Sequence, residues 1–68
     1  MSIFHERLKE LRLSHKVPQA VLAELMGVKP RAYRRYESGE REPKIDALIA
    51  LADYFKVTID YLVGRDNN

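Results

Sequence analysis

The chain has no cysteine and no tryptophan, and only three glycines and three prolines among 68 residues. Without cysteine there is neither a disulfide framework nor a thiolate metal site. The two histidines, His5 and His15, stand too far apart and too isolated to suggest a metal pocket, so neither metal nor cofactor is expected. No apolar run approaches the roughly 18 residues of a membrane span, and the first residues lack the charged-then-apolar profile of a secretory signal. A cytoplasmic protein without a membrane partner is the expectation. Also missing are a phosphate-binding glycine loop, a nucleophile beside a base and paired carboxylates in a credible cleft, which argues against an enzyme with a small-molecule substrate. Scarce glycine and proline, with only short stretches of strand-like alternation, favour an all-α fold.

A domain this short buries only about 60% of the surface its unfolded chain exposes, so its core is small and helix packing, helped by self-association, must supply stability. Phe4, Leu8 and Leu11 recur at i, i+4, i+7 and predict a first helix from about Ser2 to Ser14. Pro18 suits the first turn of a second helix, from Pro18 to Met26, with Leu22, Ala23 and Met26 inward and Gly27 as its stop. Pro30 opens a third helix, which Ser38 and Gly39 close. Ile45, Leu48, Leu51, Ala52 and Phe55 then form the apolar stripe of a fourth. Thr58 is a good N-cap for a fifth helix, Ile59 to Val63, ended by Gly64. The expected organisation is one domain over residues 1–64 and a tail over 65–68.

The net charge of +2 is modest, but it is unevenly spread. Lys29, Arg31, Arg34 and Arg35 lie together with no acid among them, leaving eight cations against ten acids elsewhere. Wound at about 100° per residue, Arg31, Arg34 and Arg35 fall within roughly a quarter of the third helix's circumference, while Tyr33 and Tyr36 lie opposite. One face can anchor the helix and the other can enter a major groove, where the arginine fork pairs with guanine O6 and N7 or with phosphate. The alternative is an ordinary solvated face. Two short helices joined by a tight turn need a small residue where they approach and a glycine where φ turns positive; Ala23 and Gly27 meet those demands.

RLKELR (Arg7 to Arg12), QAVLAELMGV (Gln19 to Val28), YRRYESGEREP (Tyr33 to Pro43) and LADYFKVTIDYLVG (Leu51 to Gly64) together resemble the Cro and phage-repressor type of helix-turn-helix protein, the xenobiotic-response-element family. The resemblance spans nearly the whole chain and implies a five-helix, lambda-repressor-like domain that binds a double-stranded DNA operator. It implies that Gln19 contacts a phosphate and braces the third helix, and that Pro30, Arg31, Ala32 and Arg35 face base edges, with Arg31 and Arg35 the main readers. Arg34 would reach the flanking backbone, and Arg41 and Lys44 would approach phosphates or the minor groove. Arg12 and Glu37 would pair as structural support. Lys29 stands where the family usually has a capping Ser or Thr; unable to accept a hydrogen bond, it fits better beside a phosphate.

Function follows as an expectation: a sequence-specific transcriptional regulator, a repressor, binding an inverted repeat as a homodimer with half-sites about one helical turn apart. Ile59 and Tyr61 are the expected dimer contacts by resemblance, with burial inside the monomer as the alternative. Tyr33 and Tyr36 read as core, their hydroxyls within reach of a phosphate at the interface edge. Leu13, Val21 and Leu25 occupy positions where the family shows polar surface and motivate a rival reading, a protein-interaction module such as an antitoxin or adaptor.

Overall fold

The computed structural model describes residues 3–65, which form five helices and no strand: α1 Phe4–Ser14, α2 Gln19–Met26, α3 Pro30–Ser38, α4 Ile45–Phe55 and α5 Ile59–Val63. Ser2, the expected first residue of α1, and residues 66–68 of the expected tail lie outside the described residues. No described helix is long and apolar enough to cross a membrane.

Each boundary has a local cause. The last turn of α1 is held by the His15 amide on Leu11 O, and a His15 ring nitrogen lies 2.9 Å from the same carbonyl while the ring packs edge-on against Phe55. Helix α2 begins one residue later than the sequence suggests. Pro18 takes ψ 149° and stands outside as the N-cap, because a φ fixed near −65° serves extended backbone as well as helix. Gly27 ends α2 at φ 72°, and a Cβ built on it would meet nothing within 4 Å; the requirement for glycine here is conformational, not spatial. Thr58 caps α5 by accepting the Tyr61 amide at 3.0 Å.

Helix α2 packs on α3 and α4, α1 on α3 and α5, and α4 on α5. Phe4, Leu8, Leu22, Tyr33, Leu51 and Leu62 are fully buried where these helices meet, each contributing on the order of 1.5–3 kcal/mol by leaving water. Ala23, also buried, lets α2 approach its neighbours closely. Beyond α5, Gly64 has φ 82°, and a Cβ there would fall 2.5 Å from Ile3 Cγ1, so the closing turn is tight against the start of the chain.

Two expectations about burial need correction. Ile45, assigned to the inward stripe of α4, is 58% exposed: it is the first residue of the helix and, at 100° per residue, lies about 70° from the centre of the stripe formed by Leu48, Leu51, Ala52 and Phe55. Leu25, taken as surface, is half-buried and packs against the core. Leu13 and Val21 do remain exposed.

Candidate nucleic-acid interface

Helix α3 has two chemically distinct sides. Tyr33 is fully buried and Tyr36 nearly so, whereas Lys29, Arg31, Arg34 and Arg35 are exposed. Among the described residues no carboxylate forms an ion pair with any of these four cations. Lys29 is the N-cap and makes no side-chain cap, and Pro30 fills the first helical position. Among the described residues no side chain caps the first amides of α3, and the helix begins with a concentration of positive charge.

What fixes this helix in place is a polar knot at its other end. The Glu37 carboxylate accepts two hydrogen bonds from the Arg12 guanidinium, through Nε on Oε2 and through Nη2 on Oε1 at 3.2 Å. It also accepts one from Gln19 Nε2 at 3.3 Å and one from the Tyr33 hydroxyl at 2.6 Å. One carboxylate therefore joins α1, α2 and α3. The bidentate arginine contact is directional as well as strong, so it sets the rotation of α3 about its axis as well as its position. Burial alone would push the Glu37 carboxyl up, but the bonds from Arg12 and Tyr33 outweigh it and hold the group below the usual glutamate range. The same bond raises Arg12, and burial followed by the bond to Glu37 raises Tyr33 far above the ordinary phenol value.

Next to α3, the loop before α4 carries Arg41 and Lys44. Both are exposed; the Arg41 guanidinium lies 6.0 Å from the Tyr36 ring centre, and Lys44 is the N-cap of α4. Together with Met26, Gly27, Val28, Asp46 and Ala47 they edge a concavity between the α2–α3 turn and the α4 start.

Residues 8–62 match the helix-turn-helix family model. The chain belongs to this family, in its Cro and phage-repressor branch. Among relatives of this helix-turn-helix domain, the HTH-type transcriptional regulator AnsR of Bacillus subtilis is 43% identical over 61 residues, covering 90% of this chain and 53% of the relative. A transcriptional regulator from Listeria innocua superposes with a TM-score of 0.91 at 40% identity, over 100% of this chain and 64% of that one. The P22 c2 repressor protein, solved in complex with a synthetic operator, superposes with a TM-score of 0.82 at 33% identity, over 93% of this chain and 96% of that one. The chain spans about half the length of the curated relatives it matches.

Within this helix-turn-helix frame the expected site residues fall into three groups. Lys29, Pro30, Arg31, Ala32, Arg34 and Arg35 share the exposed start and outer side of α3, with Ala32 half-buried at the edge; Arg41 and Lys44 stand on the adjoining loop. Gln19, Arg12 and Glu37 come together in the knot, where Gln19 makes the bracing contact directly. Ile59 and Tyr61 lie apart on α5, each half-buried against the core; Tyr61 is further engaged by Arg7, whose guanidinium sits 4.2 Å above its ring and donates to its carbonyl at 2.6 Å. Tyr33 is in the core as the sequence predicts, a phosphate at the interface edge being only the lesser alternative for its hydroxyl. That hydroxyl points inward to Glu37, because a buried phenol needs an acceptor and one stands four residues along the same helix. That spacing was visible in the sequence and would have identified Tyr33 as part of the knot. No comparable signal marked Val28, which lines the concavity between the α2–α3 turn and the α4 start.

Proposed function

We propose that this domain is a sequence-specific double-stranded-DNA-binding transcriptional regulator, acting as a repressor, which binds an inverted-repeat operator as a homodimer with α3 in the major groove. The observation that carries the reading is the division of α3: a tyrosine side fixed in the core and an arginine side with no acidic partner among the described residues, aimed at solvent. An α-helix fits the major groove, and arginines on its outer side are placed to reach guanine edges. In this reading Arg31 and Arg35 contact bases, with Pro30 and Ala32 beside them. Lys29, Arg34, Arg41, Lys44 and the start of α2 at Gln19 hold phosphates, and Ile59 and Tyr61 contribute their exposed portions to a two-fold contact. The c2 repressor's likeness supports DNA as the partner, since that protein was solved on an operator.

Selection of bound duplexes from a random pool tests the proposal. Recovery of an inverted repeat whose affinity falls steeply with salt, at a log–log slope of about −0.9 per phosphate neutralised, supports it. Absence of binding to any duplex at low salt overturns it and favours the rival reading, a protein-interaction module using the exposed Leu13 and Val21.

A further inference from the structure

Helix α5, Ile59–Val63, is only five residues long, too short to hold a direction of its own, so tertiary contacts must orient it. The buried Leu62 anchors it in the core. A second anchor comes from α1. Arg7, half-buried, donates through Nη1 to the Tyr61 carbonyl at 2.6 Å, and its guanidinium carbon lies 4.2 Å from the centre of the Tyr61 ring. The carbonyl belongs to the last turn of α5, where helix carbonyls take donors from outside the helix. One side chain thus grips both the backbone and the ring of Tyr61, and with Leu62 it fixes the rotation of α5 as well as its place. Arg12, five residues further along the same helix, holds Glu37 at the end of α3. Five helical residues span about 7.5 Å, so the proposed reading helix and α5 are tied to adjoining turns of one rod.

We propose that Arg7 is a positioning residue for operator recognition: through Tyr61 it sets the angle of α5 against α3, and thereby the half-site separation that the dimer accepts. The inference rests on the two-fold contact at α5 proposed above. When two copies meet through α5, any tilt of that helix within its own domain moves the arginine side of α3 in each half of the dimer. A tilt of about 10° acting over half of the 33 Å long axis displaces the far end by about 3 Å, close to the rise of one base pair along DNA. A modest loosening of the Arg7 contact is therefore enough to blur the spacing by a whole base pair.

The test compares duplexes that carry the selected half-site twice, at the selected separation and at separations one and two base pairs shorter and longer, with a duplex that carries it once. The wild type is expected to prefer the selected separation about tenfold over its neighbours. Arg7→Met keeps the hydrocarbon stem and removes the guanidinium; its preference should shrink to within about threefold, while affinity for the single half-site at low salt stays within about twofold of wild type. Arg7→Lys keeps a cation but not the planar fork, and should flatten the profile in the same direction. Circular-dichroism melts establish which variant is folded at the assay temperature; should Arg7→Met not be, Arg7→Lys carries the test. An undiminished preference in the folded variants, a loss equal at every separation and on the single half-site, or a wild type that accepts all separations equally would each overturn this inference while leaving DNA binding intact. A random pool that yields no inverted repeat, or no bound duplex at all, would instead overturn the reading beneath it.

Discussion

Replacing Glu37 by Ala should cost more than any exposed substitution on α3, because one carboxylate serves four hydrogen bonds from three helices. The Glu37 side chain is 8% exposed and that of Arg12 14%, so neither end of the pair is well hydrated when the other is removed. Breaking such a pair by deleting one partner costs about 3–5 kcal/mol, and leaving the Tyr33 hydroxyl without an acceptor accounts for about 1–3 kcal/mol of that. We take about 3 kcal/mol, since the partly exposed Arg12 can recover some water. Domains of this size have a total stability of roughly 3–10 kcal/mol and lose about 4–8 °C of melting temperature per kcal/mol, so the midpoint should fall by about 12–24 °C. Thermal and urea unfolding followed by circular dichroism at neutral pH provide the assay. The triple replacement Arg12→Met, Tyr33→Phe, Glu37→Leu should recover most of the loss, because it leaves no charge or hydroxyl unpaired. A loss below about 1 kcal/mol for Glu37→Ala, or a triple variant as unstable as the single one, would refute the idea that unsatisfied groups set the cost.

Three other predictions follow from the same geometry. Because Glu37 is held below its ordinary range when folded, its contribution is fully present above the unfolded value of about 4.3 and is lost as pH falls through the folded value; the wild-type melting temperature should drop more steeply between about pH 5 and 3 than that of Glu37→Gln. Gly27→Ala should cost about 1–2 kcal/mol, the strain of a left-handed residue alone, since the added carbon meets no atom; a loss above about 4 kcal/mol by denaturant titration would show that space also matters there. Arg31→Ala and Arg35→Ala should each weaken binding to the selected duplex by about 1–3 kcal/mol and relax base preference locally, whereas equal loss on every sequence in a competition assay would remove that residue from base reading.

Much of this molecule is written in its periodicities. Phe4, Leu8 and Leu11 on α1, and the opposed tyrosines and arginines of α3, could be assigned to faces because apolar and charged residues recur at helical spacing. Gly27, Gly39 and Gly64 marked the helix ends because left-handed backbone favours glycine, and all three have positive φ. Lys16 and Lys56 adopt the same conformation, at φ 56° and 58°, and lysine carries no such signal, so the left-handed geometry of those two turns was not legible. On α4 the apolar residues outnumber the width of the buried stripe. Wound at 100° per residue, Ile45 and Ile49 lie about 70° and 110° from its centre; the apolar pattern put Ile45 inside the stripe, yet both are exposed. The knot was half-legible: pairing of Arg12 with Glu37 followed from the family pattern and the i, i+4 spacing of Tyr33 and Glu37 lay open in the sequence, but the arrival of Gln19 from α2 at the same carboxylate is a tertiary fact.

The central claim is that the arginine side of α3 lies in the major groove, and replacing each guanine of the selected duplex by 7-deazaguanine tests it most directly, because only the N7 acceptor on that groove edge is lost. Affinity should fall about fivefold to tenfold at one or two guanines in each half-site, and the effect at each should vanish in Arg31→Ala or in Arg35→Ala. Unchanged binding at every guanine, or penalties that persist in both variants, would contradict the account.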